Sequence, residues 1–460
     1  MKKMKTLFAV CFSLSLISIA TAQTSPSGWT SLFDGKTLNG WKQAVGTATY
    51  TVDNGMIVGA TVVGSPNSFL ITDKEYGDFI LEADIKVEDT TSNSGVQFRS
   101  HYNAQGNGGK GKVFGYQFEI DPSARAWSGG LYDEGRRDWL YPMSLHPEAQ
   151  NAFKLGQFNK VHIECFGNEI KTWLNDVPAA FVVDTVDKSG FIGLQVHSIG
   201  NNAQLAGEKI YFKNIRIKTT GIKPAPFPKN VYVVNNIPNS LSNYEKNSGW
   251  KLLFDGVDSK GWRGAYKDAF PTSEWVIRDG TITVLSSAGK EGGNAGDIVT
   301  LDQYSAFDLS FQFKLTPGAN SGVKYFVTLT ENNTGSAIGL EYQVLDDSLH
   351  PDAKLGKNGD RTMASLYDLI PANKQKRFIH QPGEWNTGRI VVYPNNHVEH
   401  YLNGVKVLEY ERGSKEFRAL VAESKYKIWP NFGEAKQGHI LLQDHGNEVS
   451  FRSIKIRVMK

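Results

Sequence analysis

The sequence predicts an all-β chain built as two tandem β-sandwich domains. Two observations predict it: the chain repeats a series of words in order, and each repeat consists of short apolar–polar alternations broken by turn residues. Gly28-Trp29-Thr30-Ser31-Leu32-Phe33-Asp34-Gly35, followed by Gly40-Trp41, returns as Gly249-Trp250-Lys251-Leu252-Leu253-Phe254-Asp255-Gly256, followed by Gly261-Trp262. Asn93-Ser94-Gly95-Val96 then answers Asn320-Ser321-Gly322-Val323, and Gln117-Phe118-Glu119-Ile120 answers Glu341-Tyr342-Gln343-Val344. Leu131-Tyr132-Asp133 matches Leu366-Tyr367-Asp368, and Gly156-Gln157-Phe158-Asn159 matches Gly383-Glu384-Trp385-Asn386. Trp173-Leu174-Asn175 matches Tyr401-Leu402-Asn403, and Gly193-Leu194-Gln195-Val196-His197 matches Leu441-Leu442-Gln443-Asp444-His445. A unit of about 200 residues lies within the range of a large β domain, so each copy can bury its own core.

Taken in chain order, the first segment is a leader. Lys2, Lys3 and Lys5 precede an apolar run from Leu7 to Ile19, closed by Ala20-Thr21-Ala22, which predicts a secretory signal peptide over residues 1–22 and export to the periplasm or beyond. No later run reaches the roughly 20 apolar residues of a spanning helix, so no membrane span is expected. The first sandwich is placed at 28–220. Its period-two runs, such as Phe79 to Val87, are strands with one buried face, and Asp53-Asn54-Gly55 is a hairpin turn. Residues 221–247 break every period with Pro224, Pro226 and Pro228 and form a Pro-rich linker. The second sandwich, 248–460, opens on the repeated word, with Phe307 to Leu315 as a matching strand and Asp279-Gly280 and Asn403-Gly404 as turns. One helix is expected from Glu416 to Tyr426, with Ser414 as cap.

Charge excludes one class of partner. Removing the leader takes three lysines from the 50 basic residues and nothing from the 47 acidic ones, so the remainder is neutral and carries no basic stripe for nucleic acid. Of the two cysteines, Cys11 lies in the leader and Cys165 in an alternating strand, so no intrachain disulfide is expected and Cys165 reads as a small core residue.

The polar residues inside repeated words are the candidates for chemistry. On a strand Gln117, Glu119 and Asp121 share one face, and three polar side chains in a row line a cleft or solvent rather than a core. A paired-carboxylate glycosidase would use Glu119 with a second acid, and Gln343 at the matched place of the second copy cannot be a nucleophile. Tyr132, Asp133, Arg136 and Arg137 form a charged stretch whose guanidinium forks, with that of Arg99, suit sugar hydroxyls or an oxyanion; Tyr367 and Asp368 return in the second copy. Trp127, Trp139 and Trp429 lie in loop-like segments where an indole offers a platform to a sugar face, whereas Trp41 and Trp262 read as core. Gln195 with His197, and Gln443 with His445, share a face at period two, and imidazole is suited to proton abstraction near neutrality. Glu341 and Gln343 complete the polar row of the second copy. No cofactor signature is present; a divalent ion could sit on Asp346, Asp347 and His350, although neither EF-hand nor zinc spacing occurs.

With these words assembled, the chain resembles the family of 3-keto-disaccharide hydrolases. The likeness rests on Leu252-Leu253-Phe254-Asp255-Gly256, Asn320-Ser321-Gly322, Gly339-Leu340-Glu341-Tyr342-Gln343-Val344-Leu345-Asp346-Asp347, Gly383-Glu384-Trp385-Asn386 and Leu442-Gln443-Asp444-His445-Gly446, with Asn93 to Ser100 and Leu131 to Arg137 in the first copy. The resemblance implies concanavalin-like jelly-roll sandwiches, an oxidised glycoside as substrate and an oxidoreductase that supplies it. It also implies chemistry that needs one base: a ketone at sugar carbon 3 acidifies the proton on carbon 2, the glycosidic oxygen leaves carbon 1, and water adds. On that basis His197 and His445 are the candidate bases, with Glu119 and Asp121 as rivals, and Arg99, Arg136 or Arg137 would hold the enolate. A carbohydrate-binding sandwich without activity, and a conventional glycosidase using Glu119, remain the alternatives.

Overall fold

The computed structural model describes residues 28–288, 295–330 and 337–460; the predicted leader lies outside the described residues. Among these, strands dominate and pair, antiparallel at all but one junction, into four sheets, two for each copy. In the first copy a nine-stranded sheet, with Phe79–Val87 and Lys209–Lys218 at its middle, faces a seven-stranded sheet centred on Ser94–Asn103. The latter runs in the order Asp138–Tyr141, Leu131–Glu134, Lys112–Ile120, Ser94–Asn103, Gly190–Val196, Ser68–Tyr76, Trp41–Val45. In the second copy an eight-stranded sheet faces a five-stranded one built of Trp262–Gly264, Ile298–Thr300, His439–Leu442, Asn320–Val327 and Leu340–Leu345. Each copy is the β-sandwich that the alternation predicts, with the jelly-roll-like form that the resemblance implies. Phe79–Val87 and Phe307–Leu315 are strands over the residues where period two placed them. The helix spans Lys415–Glu423, where the Ser414 side chain accepts from the amide of Phe417.

Alternation sorts each strand between core and outside. Val96, Phe98, Tyr116, Phe118, Ile120, Leu131, Leu194 and Val196 point inward and belong to the first core, with Cys165 buried beside them. The intervening Gly95, Gln97, Gln117, Glu119 and Gln195 therefore lie on the outer face of the same sheet.

Several repeated words hold the fold. The Trp41 indole donates to the Leu32 carbonyl and the Trp262 indole to that of Leu253, both at 2.6 Å. Asp34 and Asp255 accept amides two residues on, each at 2.8 Å, closing the turn between. Asn175 Nδ2 donates to Asn159 Oδ1 at 2.8 Å and Asn403 Nδ2 to Asn386 Oδ1 at 2.7 Å, so each pair of Asn words forms one clasp. Ser94 and Ser321 bond the carbonyls of Gln195 and Gln443 at 2.7 and 2.8 Å, tying neighbouring strands.

Segment 221–247 is part of the fold rather than a loose spacer. Val234–Asn235 pairs parallel with Val177–Val183, and Phe227, Val231, Tyr232 and Val233 enter the first core. The short helix Asn243–Asn247 carries a capping box from Ser242 and Glu245, and Glu245, fully buried, ion-pairs with Lys455 of the second copy. Trp127 of the first copy packs 5.6 Å from Phe378 of the second, and the Tyr232 hydroxyl meets that of Ser310 at 2.9 Å. No helix among the described residues is long and apolar enough to cross a membrane.

Candidate functional site

The outer face of the seven-stranded sheet carries a directional row of amides. Ser100 Oγ donates to Gln97 Oε1 at 2.6 Å, Gln97 Nε2 to Gln117 Oε1 at 2.7 Å, and Gln117 Nε2 to Glu119 Oε2 at 2.7 Å. Asn93 Nδ2 closes on the other oxygen of Glu119 at 2.8 Å. Every donor in the row points toward one carboxyl. Gly95 makes this possible, because a Cβ there would stand 2.5 Å from Gln117 Cδ. Burial pushes Glu119 up to about 7, against the pull of Asn93 and Gln117 in the other direction.

One strand over, Tyr132 lies opposite Gln117 and Glu134 opposite Gly115, which puts both on this outer face, where the buried side chains of Gln97, Gln117, Glu119 and Gln195 form the floor of a groove. Glu134 accepts from Asn67 at 3.1 Å and from Gln195 at 3.5 Å, and burial raises its pKa as well. The sequence reading did not single out Glu134; the signal was its period-two spacing from Tyr132. His197 sits exposed at the rim. Its Nδ1 lies 2.8 Å from the Ser198 carbonyl, which can only accept, so Nδ1 carries the proton and Nε2 is the basic nitrogen. Desolvation keeps this imidazole below its ordinary pKa, hence neutral and able to take a proton at pH 7.

The second groove repeats the place with other charges. Lys324 stands in register opposite Glu341, as Gln97 stands opposite Gln117, with Nζ 3.9 Å from the Glu341 carboxylate and 3.0 Å from the Ala337 carbonyl. Glu341 lies over Gly322, where a Cβ would meet Oε1 at 2.4 Å. Burial raises the pKa of Glu341, while Lys324 and Lys425 pull it back. The Tyr367 hydroxyl donates to Asp352 at 2.8 Å, Arg361 bridges Asp352 at 3.0 Å and Asp368 at 2.7 Å, and Lys425 Nζ lies 4.2 Å from the Tyr367 ring centre. His445 packs edge-on to His350 with ring centres 5.9 Å apart.

Both grooves leave the same buried polar atoms without a partner. Asn93 Oδ1 and Asn320 Oδ1 form one matched pair, and Gln195 Oε1 and Gln443 Oε1 the other; Gln343 Nε2 is a further case. A buried amide left unmet costs about 1–3 kcal/mol, so recurrence at matched positions of two copies points to groups that await a ligand.

Other residues singled out from sequence lie elsewhere. Arg99, fully buried, bonds the carbonyls of Gly77 at 2.9 Å and Gly167 at 2.8 Å and the carboxylate of Asp78 at 2.8 Å, which commits it within the sandwich. Asp133 alternates inward and binds Arg136 and Arg137, which reach on to Asp187 and Asp184. Asp121 leaves the strand end and takes Arg125 at 2.8 Å. Trp127 is buried beside Trp139, their ring centres 4.7 Å apart, and Trp429 packs against the second core. Tyr132, Arg137 and Trp139 also border a cavity of about 520 Å³ between the copies. There Arg389 is paired with Asp308 and Lys455 with Glu245, so the unmet amides of the grooves mark the better site.

Asp346, Asp347 and His350 do not share a coordination sphere. Asp346 accepts the amides of Ser348 and Gly318, Asp347 takes the Met363 amide and Lys374, and His350 accepts the Asp352 amide. Among the described residues the one metal-like grouping is His397, Glu399 and Glu409, where Lys406 already sits 3.2 Å from Glu399.

Comparison with known proteins agrees with the repeat. A protein from Bacteroides thetaiotaomicron named 3-keto-disaccharide hydrolase is 39% identical over 234 residues, covering 46% of this chain and 79% of its own. A crystal structure from Parabacteroides distasonis, provisionally assigned as a glycosyl hydrolase, is 28% identical with a TM-score of 0.42, over 48% of this chain and 100% of its own. A second from the same organism, with the same assignment, is 26% identical with a TM-score of 0.35, over 46% of this chain and 99% of its own. The domain described as 3-keto-alpha-glucoside-1,2-lyase-like matches residues 28–218 and again 249–457, so the chain belongs to this family and carries its domain twice.

Proposed function

We propose that this chain cleaves glycosides already oxidised to a ketone at carbon 3. Family membership over both copies and the name of the Bacteroides relative support the substrate class. The observation that carries the reading is the histidine that ends each Leu-Gln-x-His word, exposed at 197 and half-buried at 445, two residues from a Gln whose side-chain oxygen is unmet. The imidazole takes the proton from carbon 2, and charge gathers on the ketone oxygen. The bond from carbon 1 to the glycosidic oxygen then breaks, and that oxygen leaves as an alcohol after gaining a proton. Water adds across the resulting enone and restores a reducing 3-keto sugar. The unmet amides of Asn93 and Gln195, or Asn320 and Gln443, would hold sugar hydroxyls and fix the ring over the base. An oxidoreductase must supply the ketone, and the predicted leader supports a reaction outside the cytoplasm.

The test is product analysis with a 3-keto glucoside and its unoxidised parent, each with and without chelator. The expected result is release of alcohol and 3-keto sugar from the oxidised substrate, lost in the double variant His197→Ala with His445→Ala. Saturable binding without turnover would replace the proposal with a carbohydrate-binding role. Cleavage of the unoxidised parent, abolished by Glu119→Gln, would replace it with a conventional glycosidase.

A further inference from the structure

Two copies in one chain allow the grooves to be compared position by position, and they differ where the chemistry would happen. Gln97, Gln117 and Glu119 of the first floor become Lys324, Glu341 and Gln343 in the second. The charges that bear on Glu119 are those of Asp121 and Glu134, both negative. The cations that sequence placed beside that groove lie away from its floor, since Arg99, Arg136 and Arg137 are committed to Asp78, Asp187, Asp133 and Asp184. The charges that bear on Glu341 include the ammonium groups of Lys324 and Lys425, set against the carboxylate of Asp297. Lys324 is held in place by the Ala337 carbonyl. Losing a proton from carbon 2 builds negative charge on the ketone oxygen, a change that carboxyls oppose and fixed ammonium groups assist.

We infer that the two grooves divide the labour: the second, with Lys324 and Lys425 over its floor, removes the carbon 2 proton, and the first, which offers carboxyls and amides, holds an uncharged sugar without cleaving it. This rests on the function proposed above. His445 is the base of the second groove, and Lys324 faces the developing enolate oxygen. The first groove keeps the hydrogen-bonding inventory of a sugar site, with Gln195 Oε1 and Asn93 Oδ1 open to hydroxyl donors. It thereby tethers the chain to unoxidised glycan near the substrate.

The test transplants one floor onto the other within the full chain. Lys324→Gln with Glu341→Gln gives the second groove residues that the first already accommodates, which protects folding, and a thermal melt checks it. The expected kcat on a 3-keto glucoside falls about 10²-fold, the loss typical of removing one oxyanion partner. Lys324→Arg, which keeps the cation, recovers much of it. A fall of only twofold means that the first groove turns over as well and overturns the division. A wild-type chain that cleaves no 3-keto glycoside overturns the proposed function itself, and the division with it. For the first groove, titration of the wild-type chain with maltose followed by calorimetry is expected to show a site that is lost in Gln195→Ala. Absence of any maltose site overturns the holding role.

Discussion

Replacing Glu119 by Gln removes a buried carboxyl whose ionisation the fold resists. Its ordinary value is 4.5 and burial carries it to about 7. Below pH 4.5 the folded and unfolded chains both keep the proton. As pH rises toward 7 the unfolded chain releases it and the folded chain does not, so the native state loses stability across that window and the loss is complete above it. At roughly 1.4 kcal/mol per unit, the span amounts to about 3 kcal/mol. The glutamine cannot titrate, so the variant lacks this slope. Its fixed cost, the acceptor lost to Gln117 Nε2, is the same at every pH and cancels when two pH values are compared. Gln343 already occupies the matched place in the second copy, which shows that the scaffold accepts an amide there. Urea unfolding at pH 4.5 and pH 8, followed by tryptophan fluorescence, is the assay. Between these values the wild-type midpoint should fall by about 1 M more than that of the variant, taking a slope near 3 kcal/mol per M. Parallel behaviour of the two chains would refute the buried, proton-holding carboxyl.

Four further outcomes follow from the same geometry. Gly95→Ala and Gly322→Ala place a methyl against Gln117 and Glu341, and should each cost about 1–3 kcal/mol in a denaturation curve and weaken ligand binding at that groove. Arg99→Met leaves the carbonyls of Gly77 and Gly167 unmet and should lower stability by about 3 kcal/mol while KM stays unchanged. Glu245→Ala strands the Lys455 ammonium and opens the capping box, a loss of about 3–5 kcal/mol by urea titration. His445→Ala should lower kcat on a 3-keto glucoside by at least about 10²-fold with the circular dichroism spectrum intact.

The strands, the repeat and the polar face were legible because each is set by local spacing. Period two alone put Gln117 and Glu119 on one side of Lys112–Ile120 and Gln195 on the side of the same sheet that carries the groove. The same rule applied to Leu131–Glu134 turns Tyr132 and Glu134 outward and Asp133 inward, so the repeated word drew attention to the wrong neighbour. The fate of the arginines was illegible for another reason. Arg99 finds Gly167, Arg136 finds Asp187 and Arg137 finds Asp184, partners about 50 to 70 residues away that only the closed sandwich brings together. Lys324 was hidden because its meaning lies in register. Only the pairing of Asn320–Val327 with Leu340–Leu345 sets it opposite Glu341, where the first copy sets Gln97 opposite Gln117.

The segment between the copies has a practical corollary for anyone who wishes to separate them. Phe227, Val231, Tyr232 and Val233 are core residues of the first copy, and Val234–Asn235 extends its larger sheet. Truncation after residue 220 would therefore strip a seam of apolar side chains from the fragment and bare the edge of Val177–Val183, inviting self-association. An excised first half needs its tail to about residue 247, and its partner must then manage without the carboxylate that Glu245 lends to Lys455.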